Sequence, residues 1–330
     1  MTMVWVTFLL SAAAIAYVAV QLARYGDAIA LRTRLGGMFI GVLLLAGATS
    51  LPELLTSLSA VNQGSPDLAA GNLLGSNAFN MLLLAILDAV HRNQRILRRA
   101  AVRHALSGSL ATLMTALVLF LMLGNIDLQV GWVGVDGLLI IGAYVTAVWL
   151  IQDNAPPPAD HSASAIPEDT PSLAWSLVGF VAAAGAMAVI TPIMVRNANE
   201  ISEITGLGAT FVGTTLVALV TSLPELVTTL AAARIGADDM AIGNLFGSTM
   251  FNMFAIGLTD VFFVSGRFLG AIDPSFLLVG MLGLLMTALA LVGNLARLER
   301  RVLFIEMDAL ALIVAYLGGM WLVYIQSVGS

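Results

Sequence analysis

Thr49-Ser50-Leu51-Pro52-Glu53-Leu54 returns unchanged as Thr221-Ser222-Leu223-Pro224-Glu225-Leu226, and the reading of this hexapeptide decides the fold. Each copy is followed at the same distance by a second polar block. The blocks read Gly71-Asn72-Leu73-Leu74-Gly75-Ser76-Asn77-Ala78-Phe79-Asn80 and Gly243-Asn244-Leu245-Phe246-Gly247-Ser248-Thr249-Met250-Phe251-Asn252. The offset is 172 residues without a gap, and 20 of the 33 positions from Thr49 to Met81 are identical in Thr221 to Met253. The chain therefore carries, twice, a carboxylate beside a proline inside an apolar segment.

The surroundings of these blocks identify the solvent. With 59% hydrophobic and 10% charged residues and a mean hydropathy of +0.95, the chain lies far outside the composition of a water-soluble domain. Segments of about 20 apolar residues cross a bilayer as helices. Ten are expected, near 4 to 23, 36 to 60, 68 to 90, 104 to 123, 131 to 151, 173 to 195, 209 to 233, 240 to 264, 275 to 294 and 305 to 326. The first is too long, and lacks the basic start and small-residue cleavage site, to read as a removable signal peptide. A net charge of −6 then concerns loops and excludes a nucleic-acid surface. Cysteine is absent, which removes disulfides and thiolate metal sites from consideration.

Orientation follows from arginine. Loops after spans 1, 3, 7 and 9 hold 12 arginines, Arg24, Arg32, Arg34, Arg92, Arg95, Arg98, Arg99, Arg103, Arg234, Arg297, Arg300 and Arg301; the opposite loops hold Arg196 and Arg267. The arginine-rich side is expected to be cytoplasmic, with both termini external in a multi-pass protein of the cell (inner) membrane. Residues 1–152 form one five-helix repeat and 172–330 the other. The proline- and acid-rich stretch 153–171 reads as a cytoplasmic linker. Five spans per repeat is an odd number, so the second repeat enters the membrane inverted, an architecture of secondary transporters with substrate near the midplane. The fold class expected is an all-α polytopic membrane protein.

The chemistry of the repeat points to hard cations. Proline lacks an N–H, so Pro52 and Pro224 are expected to break their helices and free backbone carbonyls at mid-membrane. Thr49 and Ser50 precede Glu53 by four and three residues, and Ser76 and Asn80 are four apart, so each helix presents its polar groups on one face. Carboxylate, hydroxyl, amide and carbonyl oxygens suit calcium, which takes six to eight of them; histidine and cysteine, the ligands of zinc and copper, are missing from these spans. Two glutamates near the bilayer centre cost at least a few kcal/mol, which argues for function. Gly71, Gly75, Gly243 and Gly247 read as packing residues. The arginine run from Arg92 to Arg103 reads as a topology anchor. His91, His104 and His161 read as surface residues. Asp88 and Asp260, a further pair at the 172-residue offset, are either solvated helix ends or cation-attracting acids in the two access vestibules, cytoplasmic and external respectively.

The paired TSLPEL and GNxxGS blocks resemble the α-repeats of the cation/calcium antiporter superfamily, in particular its prokaryotic sodium/calcium exchanger branch. The resemblance implies a sodium/calcium exchanger-like fold in which Glu53 and Glu225 ligate calcium. It implies that Thr49, Ser50, Ser76, Thr221, Ser222 and Ser248 complete calcium and sodium sites, that the carbonyls of Ala46 and Ala218 contribute to outer sodium positions, and that Asn80 and Asn252 occupy the remaining central positions. Two departures stand out. Ala48 and Val220 replace the glycine usual before the Thr-Ser pair, and Asn252 stands where some members carry aspartate. The function so implied is antiport of a divalent cation, calcium first, against sodium by alternating access, with spans 2, 3, 7 and 8 as a rigid core and spans 1 and 6 sliding as the gate. It is not an enzyme and calls for no cofactor; the expected partners are Ca2+, Na+ and the lipid bilayer, with no nucleic acid, and a monomer is the expected state. With both glutamates ionised the site carries −2, so one divalent ion or two sodium ions neutralise it, and proton coupling, manganese or magnesium transport, or a cation channel remain alternatives.

Overall fold

The break at the hexapeptide organises the helices around it. The computed structural model describes residues 2–33, 45–90, 96–154, 170–234, 238–296, 301–302 and 305–329. The first half contains α1 (Thr2–Thr33), α2 (45–49), α3 (Leu51–Asn62), α4 (Pro66–Val90), α5 (Ile96–Gly124), a small hairpin of β1 (Gln129–Val130) and β2 (Val133–Gly134), and α6 (Val135–Asp153). The second contains α7 (Leu173–Thr205), α8 (Gly208–Val212), a π-helical turn (Gly213–Val217), α9 (Ala218–Thr221), α10 (Leu223–Arg234), α11 (Asp238–Phe262), α12 (Phe268–Ala271), α13 (Phe276–Ala296), the hairpin β3 (Arg301–Val302) and β4 (Ile305–Glu306), and α14 (Met307–Gly329). The 172-residue offset holds at the level of structure: it relates α3 to α10 and α4 to α11 at both ends, both strands of the two hairpins, and the starts of α6 and α14.

Among the described residues seven helices are long and apolar enough to cross a bilayer, and an eighth span arises if α8 to α10 count as one bent element. The other two expected spans correspond to α13, whose apolar part Phe276–Val292 is shorter, and to 45–62, preceded by 34–44, which lie outside the described residues. Most of the linker, 155–169, and Arg34, Arg92, Arg95, Arg297, Arg300, His91 and His161 also lie outside them.

Both helix breaks fall where the prolines require them. Ser50 (φ −90°, ψ 4°) and Ser222 (φ −88°, ψ 9°) leave helical geometry for a single residue, and Pro52 and Pro224 then sit in the first turn of α3 and α10, where a missing N–H costs nothing. The second break bends the path by 43°. The helices bearing the polar stripes are the buried ones: 89% of the α4 span and 72% of the α11 span are buried, against 28% for α7. α4 touches α3, α13, α14 and the π-helical turn, while α11 touches α3, α5, α6 and α10, and α1 packs along α7. Gly71 and Gly75 do serve close packing. A Cβ on Gly75 would lie 2.7 Å from Thr214 Cα, and one on Gly71 3.0 Å from Gly213 Cα, so α4 meets the π-helical turn backbone to backbone.

One asymmetry has a local cause. α5 runs unbroken, whereas its counterpart splits into α12 and α13, because Asp273-Pro274 biases the chain toward extended geometry and Ile272 adopts φ −80°, ψ 136°. Within this loop Asp273 accepts from the Ser275 amide at 2.8 Å, and its bonds to Ser275 hold its carboxyl below the usual range; its own amide donates to Asp67 Oδ1 at 2.8 Å, tying the loop to the start of α4.

The two readings of Asp260 are both corrected. Asp260 is 1% exposed, and its carboxylate oxygens accept the backbone amides of Gly134 and Phe268, each at 2.6 Å. Beside it Arg267 forks onto Asp136 Oδ2 at 3.0 and 3.1 Å. The acid fastens the starts of α6 and α12 to the end of α11, since a charge buried against two loop amides is satisfied by them. Asp88 is buried also, with carboxylate oxygens of Asp88, Glu306 and Asp308 within 4.8 Å of one another. His104, expected on the surface, is half-buried with Nε2 3.7 Å from Asp239.

Candidate ion-binding site

Glu53 and Glu225 occupy the third position of α3 and α10, where the positive end of a helix favours a carboxylate. Both are buried at the centre of the molecule, 1% and 0% exposed. Their hydrogen bonds cross between repeats. Ser50 Oγ donates to Glu225 Oε1 at 2.9 Å, and Ser222 Oγ donates to Glu53 Oε1 at 2.9 Å. The spacing along one segment suggests a Thr-Ser-Glu face within each half, but the break turns each serine toward the other half's acid.

The flanking helices complete both ends of this exchange. Ser76 Oγ lies 2.9 Å from Ser222 Oγ, and Ser248 Oγ lies 3.4 Å from Glu225 Oε1. Thr49 Oγ1 lies 3.4 Å from Ser248 Oγ. Thr221 donates to Asn72 Oδ1 at 2.8 Å, and Thr49 to Asn244 Oδ1 at 3.3 Å. The carbonyls of Ala46 and Ala218 accept from the backbone amides of Ser50 and Ser222 at 2.9 and 3.0 Å, and lie 3.1 and 3.2 Å from the hydroxyl oxygens of Thr49 and Thr221. Asn80 and Asn252 are fully buried on the same helices. The structure thus brings these residues into two hydrogen-bonded groups, Ser50, Glu225, Ser248 and Thr49 in one and Ser222, Glu53 and Ser76 in the other, each joining the two repeats, and places Thr221 against Asn72.

Several buried oxygens are left over. Among the described residues no hydrogen-bond partner reaches Glu53 Oε2, Glu225 Oε2, Asn252 Oδ1 or either amide atom of Asn80. An unmatched carboxylate oxygen in an apolar interior costs free energy unless a cation or proton neutralises it. Carboxylate, hydroxyl and amide oxygens are the ligands that hard cations take.

The asparagine pair Asn72 and Asn244, Asn77 and the π-helical turn were given no role of their own by the sequence reading. Asn72 and Asn244 stand in the GN blocks, yet their work is to anchor: Asn72 Nδ2 donates to the Glu53 carbonyl at 2.9 Å and to Ser57 Oγ at 3.0 Å, and Asn244 Nδ2 to Thr228 Oγ1 at 3.2 Å. Asn77 accepts from Asn252 Nδ2 at 3.1 Å. The π-helical turn Gly213–Val217 lies immediately before Ala218, a local irregularity of the kind found at functional sites. The invariance of Asn72 and Asn244 between repeats was the available signal for the first; the others carry none in a single chain.

A family model described as sodium/calcium exchanger protein matches residues 3–151 and 175–325. The chain belongs to this family. It is 30% identical over 319 residues to CaxA of Alkalimonas amylolytica, a match covering 91% of this chain and 92% of that relative. Two solved folds agree. The H+/Ca2+ exchanger CAX aligns with a TM-score of 0.70 at 15% identity over 98% of this chain and 85% of that one. The sodium-calcium exchanger NCX_Mj aligns with a TM-score of 0.59 at 20% identity over 97% and 99%. The exchanger fold, membrane-embedded and built from two repeats, is thereby shown for this chain.

Ala48, one of the two departures from the exchanger pattern, has a local answer. A Cβ on Gly26 of α1 would come within 2.8 Å of Ala48 Cβ. Glycine at 26 thus leaves room for the Ala48 methyl where α1 meets the broken helix.

Proposed function

We propose that this exchanger is a secondary antiporter that moves a divalent cation, calcium in the first instance, out of the cell against sodium, alternating one central site between the two faces. The observation that carries the reading is the reciprocal pair Ser50–Glu225 and Ser222–Glu53, with a buried, unmatched oxygen on each carboxylate. The two acids come from opposite repeats, so one ion between them would bond both halves at once. A charge of −2 in an apolar interior suits one divalent ion or two monovalent ones, so the competing cargoes share the site by charge balance. Thr49, Thr221 and the carbonyls of Ala46 and Ala218 are neutral oxygens flanking the acids, and they support the outer sodium positions. α1 and α7 pack along each other at the edge of this core, which fits a pair that slides as a unit.

Proton coupling is the second reading. Its support is specific: the fold matches an H+/Ca2+ exchanger as well as a sodium-calcium one, and an unmatched carboxylate oxygen can take a proton in place of sodium. Calcium uptake into proteoliposomes under an imposed sodium gradient, then under an imposed proton gradient, separates them. Uptake driven by sodium alone supports the first reading, uptake driven by protons alone the second. Conductance with no counter-ion would mean a channel.

A further inference from the structure

The two halves of the ion site differ at one bond. We infer that Asn77 is a positioning residue: it fixes the amide of Asn252 so that the second repeat contributes an oriented oxygen to the ion site, while Asn80, the counterpart of Asn252, is held by no such bond. The inference rests on the ion-site reading above and adds to it an asymmetry that the near-identical repeats conceal.

Asn252 belongs to the α11 stripe Asn244, Ser248, Asn252, spaced by one helical turn, and Ser248 lies 3.4 Å from Glu225 Oε1. Its Nδ2 donates to Asn77 Oδ1 at 3.1 Å. An amide is planar, so fixing its donor end fixes the direction of its acceptor end. That end, Oδ1, is buried and without a hydrogen-bond partner among the described residues. A cation repels N–H and takes oxygen, so an amide whose nitrogen is engaged elsewhere is ready to ligate.

The 172-residue symmetry gives the internal control. It maps the Asn77–Asn252 bond onto a bond between position 249 and Asn80, and position 249 is threonine. The Thr249 hydroxyl donates to the Leu245 carbonyl of its own helix at 2.9 Å. Asn80 is fully buried with neither amide atom bonded among the described residues. The same fold therefore shows both arrangements, one amide pinned by a side-chain hydrogen bond and the other without one among the described residues. Thr249 also shows that threonine is tolerated here, since it satisfies its own hydroxyl.

The test is calcium uptake into sodium-loaded proteoliposomes as a function of free calcium, for the parent, Asn77→Thr, Asn252→Ala and the double variant. Asn77→Thr should raise half-saturating calcium about fivefold to tenfold, the scale of one lost hydrogen bond, with the maximal rate changed by less than about twofold. In the Asn252→Ala background the same substitution should add nothing. Asn77→Leu, close in size and without an acceptor, carries the same expectation, so a folding failure of one variant leaves the other to decide. Unchanged half-saturation, or an equal loss with and without Asn252, would show that Asn77 only packs α4 against α11. A parent that moves no divalent cation would overturn the transport reading and this inference together; a parent that does, with Asn77→Thr unchanged, overturns this inference alone.

Discussion

Ser50 and Ser222 each donate to the glutamate of the opposite repeat, at the same 2.9 Å, so neither half owns a complete site. A hydrogen bond to an ionised group contributes about 1.5–3 kcal/mol. Ser50→Ala and Ser222→Ala are therefore expected to raise half-saturating calcium by roughly tenfold to a hundredfold, each by a similar factor, as read from uptake against calcium concentration. A large loss from one and none from the other would break the reciprocity. Spacing in the sequence showed that Ser76 and Asn80 share a helix face and that hydroxyls accompany both acids. It could not show which acid each serine bonds, because that depends on how the halves pack across a break, and no local pattern records it. Asn77 was hidden for the same reason: it stands one residue off the Asn72, Ser76, Asn80 stripe and is found only through Asn252.

Proline made the helix breaks legible, since its chemistry acts where it stands. The π-helical turn Gly213–Val217 left no such mark, and it emerges from the packing of α4, whose Gly75 admits Thr214. Gly75→Ala would put a methyl 2.5 Å from the Thr214 carbonyl oxygen. Overpacking of this kind costs about 1–3 kcal/mol, so thermal unfolding in detergent should show a clear fall in melting temperature, whereas Gly185→Ala, where nothing lies within 4 Å, should leave it in place. Helix ends were the weaker part of the sequence reading. Apolar windows closed near 23 and 195, but α1 continues to Thr33 and α7 to Thr205, through polar residues such as Arg24, Arg32, Asn199 and Glu203 that an apolar window does not include. The loop acids were misjudged on the same ground, as sequence shows a charge at a helix end without showing what folds over it. Asp260→Asn should lower the melting temperature by weakening the clamp on the Gly134 and Phe268 amides, a loss of about 1–3 kcal/mol, and leave calcium half-saturation unchanged from either face. A selective loss of affinity for external ions would restore the vestibule role.

For the whole molecule, one number read from the sequence, the 172-residue offset, carried most of the architecture, because a duplicated chain folds each copy by the same local rules. It recurs in the breaks, the buried helices and the small hairpins. Where the copies diverge in residue type they diverge in form: Pro274 splits the counterpart of α5, and Thr249 leaves Asn80 without the bond its partner has. The central claim is that Glu53 and Glu225, from opposite repeats, form a single site for both ions. Calorimetric titration of calcium into the purified protein tests it most directly, with the parent, Glu53→Gln and Glu225→Gln compared at low and high sodium. The parent should bind calcium and lose it as sodium rises. Each glutamine variant keeps the size and the acceptor oxygen for the opposing serine but removes half the charge, so each should melt like the parent and show no calcium binding. Calcium binding at parental affinity in either variant would contradict the account.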